Sequence, residues 1–332
     1  MQITIDNSNS QQRFDRFLRK YFKIYPKVKL SDIYSRIRTG KAQVNNKKVK
    51  ENYRLKISDK IIIDEKADLG SQDKSKLVSP KERSLKKIDI EKIKKRILYE
   101  DDNRICLDKP AGIVIHPSNT HRNDLSMNDY LQKLTENNKN LNSETNSTSK
   151  PSFAYRLDKE TSGILLAAKN YEALKYINKL VRERETEKYY FAVVSGKFPK
   201  HLLIDKPLEK QFNEKLNIGQ TVVNTRYGVK AISECRNNKT ITDPNLGEIS
   251  VVKVKIETGR MHQIRVHLAD AGFPILGDLV YGNPVANRLL YKFYDIKRQL
   301  LHCTDYSFYD MFGNKKIHLH SFLPEDFQKI IN

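Results

Sequence analysis

The chain is expected to fold as an α+β protein in two parts. A small basic α/β module covers residues 1–64. A larger domain covers residues 93–332 and is built on one extended, mixed or largely antiparallel sheet flanked by helices and loops. Three observations lead there. Helical periodicity with short strands marks the first sixty-odd residues, a charged stretch poor in apolar residues follows, and short β-like runs alternate with helical segments afterwards.

In the N-terminal module Phe14, Phe17, Leu18, Tyr21 and Phe22 recur at the spacing of one helix face, with Arg13, Arg16, Arg19 and Lys20 on other faces. A second helix is expected from Ser31 as N-cap, carrying Ile33, Tyr34 and Ile37 and stopping at Gly40. Strands should follow at 42–44 and 47–49 around a turn at Asn45-Asn46, and again at 54–57 and 61–63. The module holds sixteen Lys and Arg against six Asp and Glu, about half of the chain's net +21. Arg36, Arg38, Lys41, Lys47, Lys48 and Lys50 concentrate that charge, which suits phosphate contacts.

Residues 65–92 read as a charged tether, with a short helix at its end. The Asn-, Ser- and Thr-rich stretch 137–152 reads as a flexible surface insertion. In the larger domain strands are expected at 104–107, 113–115, 164–168, 190–194, 222–223 and 250–256, and helices at 171–185 and 261–271.

Charge and composition narrow the function classes. A pI near 9.6 points to a polyanionic partner, most simply nucleic acid. A lysine-rich surface used only for solubility is the alternative. Cys106, Cys235 and Cys303 match neither a disulfide framework nor a zinc spacing. No apolar run is long enough to span a bilayer, and the N-terminus lacks the apolar stretch of a secretory signal, so a cytoplasmic protein is expected. No glycine-rich phosphate or dinucleotide loop is present, so no cofactor is expected. His262 and His267 lie five apart, not four, and His318 and His320 lack a neighbouring ligand motif, so no metal is expected either.

The stretch from Ala154 to Ala168 is the most informative. A polar loop with one carboxylate, Asp158, flanked by Arg156 and Lys159, runs through Gly163 into an apolar strand. Nearby positive charge favours the ionised form of a carboxylate, so Asp158 is a candidate nucleophile or general base. The same pattern also fits a loop aspartate in a solvated ion pair. Farther on, Met261, Arg265 and Leu268 would share a face of the expected helix. An arginine on an apolar stripe needs a partner, or else extends its head to solvent.

These residues carry a family resemblance. Tyr155-Arg156-Leu157-Asp158-Lys159-Glu160-Thr161-Ser162-Gly163-Ile164-Leu165-Leu166 resembles the H-R-L-D-x-x-T-S-G-L-L-L signature of the RluA-type RNA pseudouridine synthases, with Tyr155 in place of the usual histidine. Leu107-Asp108-Lys109-Pro110-Ala111-Gly112, Lys188-Tyr189-Tyr190-Phe191-Ala192-Val193-Val194-Ser195-Gly196, Thr258-Gly259-Arg260-Met261-His262-Gln263-Ile264-Arg265-Val266-His267-Leu268, Gly277-Asp278 and Tyr281-Gly282 continue it in the expected order. The N-terminal module resembles the S-four RNA-binding domain through Arg13–Leu18 and Ile33–Asn45.

The resemblance implies an isomerase that converts uridine to pseudouridine in RNA without cofactor or metal. It implies Asp158, Tyr190 and Arg265 as catalytic residues, with Arg265 paired to Asp158, and Arg156, Lys188, Arg260 and His262 as substrate-binding residues. It implies RNA binding by Arg36, Arg38, Lys41, Lys47 and Lys48. Asp158 would attack the anomeric carbon or remove a proton from the neighbouring ribose carbon. Tyr190 would pack on the uracil, and Arg156 would fill the gap left by the everted base. The pairing of the two modules resembles bacterial enzymes acting on large-subunit (23S) ribosomal RNA, and Ile97–Asp102 with Tyr25–Tyr34 is similar to the RluC branch. A monomer is the default expectation for such a chain, away from membranes. Transfer RNA is the second candidate substrate. A non-catalytic RNA-binding ribosome-assembly factor and a nucleoside hydrolase are the other classes kept open, although glycosidases generally need two carboxylates.

Overall fold

The computed structural model describes residues 2–6, 9–22, 28, 30–64, 89–116, 125–136, 151–213, 218–310 and 313–331. The chain divides into two compact units, one containing residues 2–64 and the other the described residues from 89 onward. Most of the expected tether and nearly all of the expected insertion lie outside the described residues.

The N-terminal unit has a three-stranded antiparallel sheet with two helices. Strand β1 (Gln2–Thr4) precedes helix α1 (Phe14–Phe22) and helix α2 (Leu30–Thr39), and then come β2 (Ala42–Val44) and β3 (Lys60–Ile63), in the sheet order β1-β3-β2. The periodic aromatics form its core. Phe14, Phe17, Leu18 and Phe22 pack with Ile33, Ile37, Leu55, Ile61 and Ile63. The expected strands at 47–49 and 54–57 reduce to single bridges, Val44 with Lys47 and Arg13 with Arg54. Arg38, Lys41, Lys47 and Lys48 are exposed. Arg36 is not. It is 8% exposed, donates from Nη1 to the Asp64 carbonyl (2.9 Å) and lies over the Phe22 ring. Its guanidinium braces α2 within the unit.

The larger unit begins with α3 (Ile90–Lys94), β4 (Ile97–Glu100), β5 (Arg104–Lys109), α4 (Met127–Glu136), β6 (Ser152–Phe153) and β7 (Ser162–Ala168). It continues with α5 (Tyr171–Glu183), β8 (Thr186–Ser195), β9 (His201–Asp205), β10 (Leu208–Asn213), β11 (Ile218–Val223), β12 (Ile232–Asp243) and β13 (Gly247–Ile256). Helix α6 (Gln263–Asp270), α7 (Pro284–Tyr294), β14 (Leu301–Asp310), β15 (Lys315–His320) and α8 (Glu325–Ile331) complete it. Ten strands form one sheet with the path β4-β5-β7-β14-β8-β13-β12-β9, while β15 pairs with β14 and β6 with β7. Among the described strand pairs only β7–β14 is parallel, so the sheet is mixed and largely antiparallel. Strands β10 and β11 form a separate hairpin.

All seven residues of β7 are buried, as expected of a strand at the centre of a sheet covered on both faces. Gly163 lets it sit there. Its φ is +107°, and a Cβ at that position would lie 2.2 Å from the Cys303 carbonyl oxygen of β14. Any side chain would force β14 away from the strand that leads out of the Asp158 loop. Two expectations fail for local reasons. Residues 113–115 form no strand. The helix expected from Met261 begins at Gln263, because His262 adopts a left-handed backbone (φ +57°) that ends helical continuity on its N-terminal side. Met261 therefore does not share a helical face with Arg265.

Candidate active site

A cleft of about 650 Å³ opens beside the sheet of the larger unit. Its walls come from the Asp158 loop, the end of α5, β8, the segment between β13 and α6, and the first turn of α6. Asp158, Tyr190, Arg265, Arg156, Lys188, Arg260 and His262 all line it. Residues more than a hundred positions apart in the chain thus meet in one place.

The Asp158 loop is held by its backbone. Lys109, at the end of β5, is fully buried and donates from Nζ to the carbonyls of Pro110 (2.9 Å), Lys159 (2.8 Å) and Thr161 (2.8 Å). The Gly112 amide also donates to the Lys159 carbonyl, and Arg298 donates to that of Glu160. The Thr161 amide donates to the Asp158 carbonyl, and the Thr161 hydroxyl accepts from Gln299. Burial lowers Lys109 to about 7, against the nearby charges of Glu160 and Asp158. Three carbonyls nonetheless match the three donors of an ammonium, and the geometry is that of the charged form.

The carboxylate itself is oriented by a guanidinium. Arg265 Nη1 donates to Asp158 Oδ2 at 3.0 Å. The remaining edge of Arg265 faces Asp278, with Nε to Oδ2 at 2.7 Å and Nη2 to Oδ1 at 2.8 Å. Asp278 is anchored in turn by the amides of Val280 and Tyr281. Burial opposes charge on both partners, but their mutual hydrogen bonds prevail. Arg265 is pushed above its ordinary value and Asp278 is held below the usual carboxylate range. Among the described residues, Asp158 Oδ1 accepts no hydrogen bond. One carboxylate oxygen is thus anchored, and the other is left for a reacting group.

Around this pair the cleft is partly aromatic. Tyr190 is 5% exposed, and burial raises its hydroxyl well above 10, so it stays protonated. Lys188 lies behind the wall with Nζ 3.6 Å from the Tyr155 ring centre and 5.2 Å from that of Tyr306. Burial lowers it to about 8. Tyr155 donates to the Ile164 carbonyl. Arg156 is exposed at the rim, and Arg260, also exposed, donates to the Lys230 carbonyl. Arg182, Arg184 and Lys210 extend the basic rim. His262 Nε2 stands 3.9 Å from Asp158 Oδ2.

Sequence reasoning anticipated the Asp158–Arg265 contact but did not single out Lys109, Asp278 or Tyr281 as site residues. A signal was present. An arginine with five donors cannot be satisfied by one oxygen of a single carboxylate, so further acceptors were needed, and Asp278 supplies them.

Comparison with known proteins gives a consistent picture. The family model described as RNA pseudouridylate synthase matches residues 103–270. A ribosomal large subunit pseudouridine synthase C of Buchnera aphidicola is 32% identical over 99% of this chain and 96% of its own length. The protein of the same description from Vibrio cholerae is 30% identical over 96% of this chain and 92% of its own. A ribosomal large subunit pseudouridine synthase D of Borreliella burgdorferi is 38% identical over 56% of this chain and 54% of its own. Among solved structures, human RNA pseudouridylate synthase domain containing 4 superposes with a TM-score of 0.55 at 23% identity, covering 72% of this chain and 93% of its own. Human RNA pseudouridylate synthase domain containing 1 gives 0.54 at 22%, covering 72% and 86%. At these identities the two structures speak to the fold alone.

Proposed function

The chain belongs to the RNA pseudouridylate synthase family, and from that premise we propose that it converts specific uridines of large-subunit ribosomal RNA to pseudouridine. The observation that carries the reading is the cleft carboxylate Asp158, with Oδ2 tied to Arg265 and, among the described residues, no hydrogen bond to Oδ1, whereas Glu257, which also lines the cleft, pairs with Arg184. Relatives matched over nearly their whole length carry the large-subunit ribosomal description, which supports that RNA over transfer RNA.

In this reading the target nucleotide leaves the RNA stack, at a cost of a few kcal/mol that contacts in the cleft offset. The basic rim of Arg182, Arg184 and Arg260 takes the backbone phosphates, and Arg156 occupies the gap left by the base. Asp158 then acts on the ribose, either at the anomeric carbon or by taking the proton of the neighbouring carbon. The glycosidic C–N bond breaks, the uracil turns within the cleft, and a C–C bond joins it to the same sugar. Oxidation state does not change, so the chemistry balances without a redox partner. Arg265 keeps the carboxylate ionised and aimed. Tyr190, protonated, packs against the uracil face. Lys188 supports the wall from behind the aromatic pair.

The N-terminal unit, residues 1–64, serves in this reading as an S-four-type RNA-binding domain. Its exposed Arg38, Lys41, Lys47 and Lys48 supply affinity for structured RNA. In this reading one copy of the chain acts, in the cytoplasm, and the residues assigned to the chemistry all come from one cleft.

The test is to incubate the purified protein with large-subunit ribosomal RNA transcripts and map pseudouridines. The expected result is conversion at a few defined uridines with the RNA mass unchanged. Release of free uracil would make it a hydrolase, and tight binding without conversion an assembly factor.

A further inference from the structure

The reaction just described makes one demand that Asp158 and Arg265 do not meet. When the glycosidic bond breaks, its electron pair passes to the uracil, and negative charge builds on the ring's carbonyl oxygens. Asp158 repels that charge. Arg265 cannot move to it, since Nε, Nη1 and Nη2 are all engaged by carboxylates. A neutral hydrogen-bond donor beside the carboxylate is the missing component, because a second cation there would pair with Asp158 and quench it.

His262 has the position and the polarity. It lines the cleft, with Nε2 3.9 Å from Asp158 Oδ2, too far for a direct hydrogen bond. Its other nitrogen, Nδ1, lies 2.9 Å from the Tyr281 hydroxyl. That hydroxyl already accepts the backbone amide of Thr221, on β11, at 2.8 Å. A backbone N–H can only donate, and among the described residues no other acceptor takes the hydroxyl's own proton. With the hydroxyl donating to Nδ1, the imidazole proton sits on Nε2, facing the reaction space, and this is the tautomer that the proposal requires. Burial favours the neutral ring, as does the charge of Arg265, against the pull of Asp158. Burial likewise keeps Tyr281 protonated. The Tyr281 ring also lies under the Arg265 guanidinium, 5.0 Å from its centre, so one side chain aligns both groups. His262 holds this pose on a left-handed backbone (φ +57°) that residues other than glycine rarely adopt, and strain of that kind gathers at functional positions.

We propose that His262 donates a hydrogen bond from Nε2 to the uracil carbonyl oxygen on which charge builds as the glycosidic bond breaks, and that Tyr281 is the positioning residue that fixes this tautomer. No proton is transferred. The N–H polarises the leaving base and stays with the imidazole while the C–C bond forms; the C5 proton then leaves to solvent and N1 takes one up, so the proton count of the base is unchanged. The proposal rests on the reaction reading above.

The full-length enzyme labelled with ¹⁵N-histidine reports the tautomer directly, with the His262 signals assigned by their loss in His262→Gln. Nε2–H in the wild type, becoming a mixture of tautomers in Tyr281→Phe, is expected. Single-turnover assays complete the test. His262→Phe, which keeps a ring but no N–H, should lower the rate of pseudouridine formation about a hundredfold, the effect of losing one such donor, while RNA affinity stays within about twofold. His262→Gln, whose amide N–H reaches a similar place, should stay within about fivefold of wild type. Tyr281→Phe should lower kcat about tenfold at unchanged KM. Nδ1–H in the wild type, a His262→Phe enzyme with full turnover, or His262→Gln falling as far as His262→Phe would overturn the proposal. A wild-type enzyme that makes no pseudouridine would instead count against the reaction reading.

Discussion

In the cleft of the larger unit, Arg265 is 6% exposed and gives every guanidinium nitrogen to a carboxylate. On the N-terminal unit, Arg38, Lys41, Lys47 and Lys48 are exposed, and among the described residues no ion pair holds them. The first arrangement fixes geometry. A buried charge is tolerated only with its partners in place, so each partner locks the next. The second leaves its charges mobile and hydrated, suited to phosphates whose positions vary along an RNA. Chemistry needs the former and affinity the latter. Arg36 shows that residue type does not decide between them. It lies among the surface cations in sequence, yet it packs on Phe22 and bonds the Asp64 carbonyl.

The comparison breaks if charge deletions cost the same in both places. Arg265→Ala should have the largest effect. It leaves Asp158 and Asp278 facing each other without a cation, and denaturant unfolding should show a loss of about 3–5 kcal/mol together with loss of turnover. Asp278→Asn keeps the shape but not the charge, and should lose about 1–3 kcal/mol by the same measurement, with turnover reduced because Arg265 is no longer held from behind. The paired substitution Lys47→Ala, Lys48→Ala should leave stability within about 0.5 kcal/mol. It should instead weaken RNA binding and flatten the log–log salt dependence by about 0.7–0.9 per lysine. Arg36→Ala should do the reverse, lowering stability with little change in salt slope.

A subtler contrast concerns Lys188, whose folded value of about 8 lies below its ordinary 10.5. Between those values the unfolded chain binds more protons than the folded one, so Lys188 makes stability rise with pH across that window and contributes no slope below it. Comparing melts at pH 8 and pH 10 for wild type and Lys188→Met should show a smaller rise in the variant. An equal rise would mean that the ammonium stays comfortable over Tyr155 and Tyr306.

The readable and unreadable parts of the sequence divide along physical lines. The N-terminal helices were visible because Phe14, Phe17, Leu18 and Phe22 repeat at helical spacing and are buried together. Strand β7 was visible as an apolar run. Strand β12 was not expected, because Arg236-Asn237-Asn238-Lys239 reads as a turn, and only its pairing with β9 and β13 makes it extended. The short start of α6 was hidden for the opposite reason. Residues 261–271 look uniformly helical, and nothing local announces a left-handed His262. At the site, Asp158 and Arg265 were legible through their motif. Lys109 was not, because its role as a clamp on three carbonyls appears only once β5 and β7 pair and bring Lys109 beside Gly163.

The most direct test of the central claim, that the reaction turns on the Asp158 carboxylate and not on the basic surfaces, is the Asp158→Asn enzyme on ribosomal RNA. It should bind within about twofold of wild type, since RNA affinity comes from phosphate contacts, and form no pseudouridine under single-turnover conditions. Pseudouridine formed at a measurable fraction of the wild-type rate by a purified Asp158→Asn protein would contradict the account.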